Sequence, residues 1–156
     1  MSSTESPSKI TLRIEEHPDQ NDLETVRQGL QTFNESKVEA VNHLSLEILL
    51  RDEGGKVRGG LLGDTYWGWL SVSILWVDES LRGQGYGRRL LRAAEQEAIR
   101  RGCHSAHLDT MSFQARPFYE KEGYRVFGIL EDVPIGNQRI FLYKQLTEKP
   151  LHTSTR

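Results

Sequence analysis

Cysteine is nearly missing from this chain: Cys103 is the only one among 156 residues. A lone thiol excludes an internal disulfide and any multi-cysteine zinc site, so no metal is expected. Long hydrophobic runs are missing too. The longest near-apolar stretch, Trp69 to Val77 (WLSVSILWV), contains two serines and is about half of what a bilayer demands. Excess charge of one sign is also absent. Twenty Lys+Arg stand against 22 Asp+Glu for a formal −2, so no global basic field points to nucleic acid or an anionic membrane as partner. The first nine residues carry no apolar segment, so no secretory signal is readable and a cytoplasmic location is the expectation. What remains is ordinary globular composition, 37% hydrophobic and 27% charged, in a length suited to one core.

Polar, Ser/Thr/Glu-rich residues 1–9 and 148–156 read as disordered tails around a single domain at 10–147. Ile10 to Glu16 (ITLRIEE) alternates apolar and polar side chains and predicts a strand. Leu23, Val26, Leu30 and Phe33 share one helical face over 19–33. Leu44–Arg51 and Lys56–Gly63 flank Asp52-Glu53-Gly54-Gly55, a hairpin signal. Trp69–Val77 is too apolar for an edge and predicts a central strand, with Trp69 in the core. Gly85–Arg101 is the clearest helix, striped by Leu90, Leu91, Ala94 and Ala98 and stopped by Gly102. A strand at 105–110, a short helix at 114–122 and strands at 124–130 and 138–146 complete the order. The fold class is therefore α/β, with a mixed sheet of about seven strands flanked by about four helices.

The informative segment joins the central strand to the best helix: Val77-Asp78-Glu79-Ser80-Leu81-Arg82-Gly83-Gln84-Gly85-Tyr86-Gly87-Arg88. Three glycines in five residues are a poor way to begin a helix, each costing about 1 kcal/mol relative to alanine inside one. No Ser, Thr, Asp or Asn directly precedes Gly83 as a cap, so the first N–H groups call for another acceptor. An anion fits, because glycines allow close approach and the helix dipole favours negative charge there. Arg82, Arg88, Arg89 and Arg92 add cations around the same end. The plain alternative is a packing turn with solvated arginines. A P-loop is excluded because Gly87 is followed by Arg88-Arg89, and a dinucleotide fingerprint because its third glycine is one place early.

Arg82-x-x-Gly85-x-Gly87 resembles the Arg/Gln-x-x-Gly-x-Gly/Ala signature of the GCN5-related N-acetyltransferase (GNAT) family. Ala115-Arg116-Pro117-Phe118-Tyr119-Glu120-Lys121-Glu122-Gly123-Tyr124 is similar to that family's Ala-x-x-Phe-Tyr-x-Lys-x-Gly-Phe/Tyr helix, in the family's order. The resemblance implies the GNAT-like fold and an enzyme that moves the acetyl group of acetyl-CoA to an amine. It implies cofactor contacts from Arg82, Gly83, Gln84, Gly85, Tyr86, Gly87 and Arg88 to the pyrophosphate. It further implies contacts from Leu75, Trp76 and Val77 to the pantetheine arm, along a strand splayed from its neighbour. Ser112 stands where many members carry a cofactor-contacting asparagine. Tyr119 matches the general-acid tyrosine, a phenol being able to protonate a departing thiolate at modest cost. Tyr124 reads as core.

An alkylamine must also lose a proton. His107 and Asp109 alternate on one face of a strand, and His107 sits where some members place a catalytic glutamate. A lone strand histidine is more often structural. Trp67, Trp69 and Trp76 are candidate pocket walls, and Asp64, Glu131 and Asp132 candidate anchors for a cationic acceptor. Cys103 reads as a buried inert thiol, which favours direct transfer in a ternary complex over a covalent carrier. The expected acceptor is a small-molecule amine, with a protein N-terminus or lysine as the alternative. From another class, a non-catalytic acyl-CoA sensor or an arginine-rich nucleic-acid patch would share parts of the pattern. Homodimers are common in the family, and Ile140–Tyr143 reads as an apolar edge for pairing.

Overall fold

The computed structural model describes residues 10–148; the expected tails lie almost wholly outside them. The chain divides into two compact units, with the boundary at residues 40/41, inside the span read as one domain. In the first unit, helix α1 (Gln20–Glu35) begins at Asp19, whose carboxylate accepts the Asn21 N–H at 2.7 Å. That is the ordinary side-chain cap for free helix-start donors. The strand expected at Ile10–Glu16 does not form. Alternation fixes only which way side chains point, whereas a strand exists through its ladder, and residues 10–16 have none among those described.

The second unit is a sheet of six strands: β1 (Leu44–Arg51), β2 (Val57–Tyr66), β3 (Trp69–Val77), β4 (Ser105–Met111), β5 (Arg125–Glu131) and β6 (Gln138–Gln145). Their spatial order is β1-β2-β3-β4-β6-β5, antiparallel except for the parallel β3/β4 pair. The parallel pair needs a crossover, and helix α2 (Tyr86–Arg100) supplies it. Helix α3 (Arg116–Lys121) links β4 to β5, and a 3-10 turn covers Glu79–Leu81. Among the described residues there are six strands and three α-helices against the expected seven and four, short by the missing first strand and by the polar segment after α1.

The 52–55 turn closes as expected, with the Asp52 carboxylate accepting from the N–H groups of Gly54 and Lys56. Period-two alternation sorts the sheet into two faces. Leu61, Leu70, Val72, Ala106, Leu108, Ile140 and Leu142 point to the side where α2 lays Leu90, Leu91, Ala94 and Ala98, and together they form the core. Cys103 and Tyr124 are buried there, as read from sequence. Burial raises the pKa of the Cys103 thiol, which suppresses its reactive thiolate form.

Two expectations fail here. Trp69 is only partly buried, because it points to the opposite face, where its ring meets those of His104 and His107. Ile140–Tyr143 is not an edge: β6 lies between β4 and β5, so both its ladders are filled inside the chain. A dimer through that strand is ruled out by hydrogen-bond accounting. Among the described residues no helix is long and apolar enough to cross a membrane.

Candidate active site

The parallel ladder between β3 and β4 runs only from Trp69/Ser105 to Val72/Leu108. At that point the β2/β3 register slips: Gly63 faces Val72 and Leu62 faces Ile74, so Ser73 is an extra residue on β3. Bulges bend a strand and end pairing, and this one turns residues 73–77 away from β4. Gly63 makes the bulge possible, since a Cβ there would lie 2.4 Å from the Ser71 carbonyl oxygen. The divergence opens a cleft of about 600 Å³.

Ser73 to Val77 line one wall; Leu108, Asp109 and Thr110 form the other, with Phe113 to Ala115 and Tyr119 behind them. Leu75, Trp76 and Val77 therefore line the cleft on the part of β3 that has left β4. Arg82 reaches the same cleft, with its Nε–H donating to the Val77 carbonyl at 3.1 Å. Gly83, Gln84 and Gly85 come directly after it as the turn into α2, and Tyr86, Gly87 and Arg88 are the first residues of that helix. Gly83 and Gly85 have φ of 72° and 82°, and Gly85 is the helix N-cap with no side-chain cap bond. Among the described residues, the N–H groups of 83–88 find no acceptor. Six donors at a helix start are a ready anion site.

The cations are less concentrated than the sequence suggests. Arg88 and Arg92 both turn to the Glu122 carboxylate, at 3.1 and 3.2 Å, and Arg89 lies over the Tyr86 ring. Only Arg82 of the four lines the cleft. Glu122 is a residue that spacing did not flag; it bolts the end of α3 to the first turns of α2. Gly87 adds to that joint by packing under the Phe118 ring. Arg58, also unflagged, holds the opposite end of the turn through Asp78 and Ser80. The hydroxyl and N–H of Ser80, helped by Arg58, hold the Asp78 carboxyl down at a pKa of about 2.

Tyr119 is 7% exposed and its hydroxyl has no hydrogen-bond partner among the described residues. Burial, and after it the charge of Asp109, pushes its pKa up to about 12. A phenol so placed keeps its proton at any physiological pH. Tyr124, by contrast, donates to Glu95 and belongs to the core. Ser112 is occupied by its own loop: its oxygen accepts the Gln138 N–H at 3.0 Å and its hydroxyl faces Asn137 Oδ1 at 3.3 Å. It does not line the cleft.

His107 lies one residue from the cleft-lining Leu108 but on the other sheet face. Its Nε2 sits 2.9 Å from the Tyr66 hydroxyl, between the rings of Tyr66 and Trp69. Burial lowers its pKa, with the Asp109 charge opposing, so the imidazole is neutral at pH 7. Asp109 does line the cleft and is gripped by Arg139 through two bonds of 2.8 and 3.1 Å. Of the candidate anchors, Asp64 pairs with His43, while Glu131 accepts from Gln138 and Asp132 from the Gly136 N–H. None of the three lines the cleft.

The profile of the acetyltransferase (GNAT) family matches residues 11–124. The chain belongs to the GNAT family.

An acetyltransferase of Agrobacterium fabrum is 38% identical over 120 residues, covering 77% of this chain and 88% of that protein. The blasticidin-S acetyltransferase of Streptomyces morookaense is 42% identical over 95 residues, covering 60% of this chain and 70% of its own. A crystal structure of a Bacillus cereus acetyltransferase superposes with a TM-score of 0.77 at 34% identity, covering 85% of this chain and 97% of that one. This GNAT protein is accordingly an acetyl-CoA-dependent N-acetyltransferase, with acetyl-CoA as co-substrate.

Proposed function

We propose that the β3/β4 cleft is the transfer site and that the acceptor is an amine of a small molecule. Acetyl-CoA supplies the acetyl group as a thioester; the chain's part is to hold it, place the amine and manage two protons. The pyrophosphate is assigned to the N–H groups of 83–88 with Arg82 beside them, since no acceptor among the described residues serves those donors. The pantetheine arm is assigned to the backbone of Leu75–Val77, freed from β4 by the bulge at Ser73. A strand N–H at the splay polarises the thioester carbonyl, a contribution of about 3 kcal/mol per donor. Ser112 is left out of this set, because its oxygen and hydroxyl serve the 112–138 loop contact.

Tyr119 is assigned as the acid that protonates the departing thiolate. The observation that carries the reading is its position: a protonated phenol, nearly buried and unbonded among the described residues, on the wall of the splayed cleft. His107, neutral and one residue behind that wall, is assigned as the receiver of the amine's proton, through water. Direct transfer is favoured because the only thiol, Cys103, is buried with a raised pKa and does not line the cleft. The likeness to a blasticidin-S acetyltransferase supports a small-molecule acceptor over a protein N-terminus or lysine. The test is thiol release from acetyl-CoA across a library of small amines and of N-terminal and lysine peptides. Turnover confined to the amines supports the reading; turnover confined to peptides overturns it.

A further inference from the structure

The cleft is electrically two-ended. Arg82 is the only cationic side chain on its wall and Asp109 the only carboxylate, among the described residues. Arg82 belongs to the glycine turn, while Asp109 shares the far wall with Tyr119, whose phenol is kept protonated by burial first and by the Asp109 charge second. We infer that Asp109 is the residue that selects the acceptor, by binding it as a cationic amine at the transfer point, and that Arg139 is its positioning partner. This inference rests on the acetyl-transfer reading of the same cleft.

The geometry favours that role over a surface ion pair alone. Arg139 does not line the cleft; it approaches Asp109 along the β4/β6 ladder, beyond the Asp109/Phe141 pair, with its guanidinium over the Phe141 ring. The grip is bidentate, Nε to Oδ2 and Nη2 to Oδ1. Such forks fix the plane of a carboxylate. A carboxylate has about four acceptor sites, so two remain for a ligand after Arg139 has taken its pair. The surrounding wall is mixed: Val72, Leu75, Leu108, Phe113 and Ala115 alternate with Ser73, Thr110 and Gln114, none of which carries a charge that competes with Asp109. Asp64, Glu131 and Asp132, the acids that sequence alone suggested, are engaged elsewhere and leave Asp109 to this task.

The experiment uses the full chain and a defined panel. Benzylamine, tyramine, spermidine and blasticidin S are cationic at pH 7; aniline and methoxyamine are neutral. Acetyl-CoA affinity is measured first by calorimetry, so that failure of the transfer reading shows as no binding, independently of any acceptor result. With acetyl-CoA bound, turnover is expected for cationic members. Asp109→Asn is expected to raise their KM at least tenfold with acetyl-CoA affinity and melting temperature little changed, and Asp109→Glu to restore part of the loss. Arg139→Lys keeps the charge but loosens its orientation, and is expected to lower kcat more than it raises KM. Neutral amines used as well as cationic ones, no amine acetylated by the acetyl-CoA-loaded protein, or an Asp109→Asn effect absent from acceptor KM would each overturn the inference.

Discussion

Tyr119 carries the chemistry at the scale of a single residue. Its hydroxyl is the atom assigned to reprotonate the leaving sulfur, and phenylalanine removes that atom while keeping the ring that packs against Phe118 and Tyr124. Tyr119→Phe should bind acetyl-CoA normally and lose roughly 10²–10³ in kcat, within the usual range for general acid catalysis. Stopped or continuous thiol release checks it; unimpaired turnover would assign the proton elsewhere. The pH dependence is set by the sign of the shift. A pKa raised to about 12 keeps the acid form populated above pH 10, where an ordinary phenol has begun to ionise. The rate should therefore show no loss attributable to Tyr119 between about pH 8 and about pH 10.5. Linkage has the same sign: the preference for a protonated phenol adds stability that is complete below about pH 10 and lost towards 12.

At the scale of elements, the glycine turn and α3 behave as one joint. Gly85 caps α2 in the left-handed region at φ 82°, where an L-residue costs about 1–2 kcal/mol. Gly85→Ala should lower stability by about that much and weaken acetyl-CoA more than acceptor binding, measured by thermal melting and calorimetry. The turn was legible in sequence because glycine spacing and an absent cap are local chemistry. The hairpin at 52–55, the stripe of α2 and the β3 boundaries were legible for the same reason. The joint itself was not: Glu122, Arg58 and Tyr66 act across 20 to 41 residues of chain, and no spacing rule reaches that far. The position of Ile140–Tyr143 inside the sheet was hidden likewise, since strand order is a property of pairing and apolar composition suits an inner strand as well as an edge. Asp109 was visible as the neighbour of His107 on one strand face; only the bulge at Ser73 decides which of the two meets the cleft.

At the largest scale, within the second unit, the sheet and α2 are fastened by a polar pin as well as by the core. Glu95 of α2 accepts from Lys144 Nζ with both oxygens, at 3.1 and 2.8 Å, and from the Tyr124 hydroxyl at 3.2 Å. The carboxylate is nearly enclosed, so this is a paired charge whose partners would be stranded if it were removed. Glu95→Ala should cost about 3 kcal/mol or more in denaturant unfolding, whereas a loss under about 1 kcal/mol would mean that water replaces it. The pin ties α2 to β6 and to Tyr124, just beyond the helix that carries Tyr119.

The central claim is that this cleft is built for acetyl-CoA, with a pyrophosphate end at residues 82–88 and a thioester end at Tyr119. Calorimetric titration of acetyl-CoA, CoA and ATP into the purified chain tests it most directly. The account predicts binding of acetyl-CoA and CoA at one site per chain, with ATP silent because it lacks the pantetheine arm that Leu75–Val77 would hold. No binding of any of the three, or ATP bound as well as CoA, would contradict it and leave the glycine turn as packing alone.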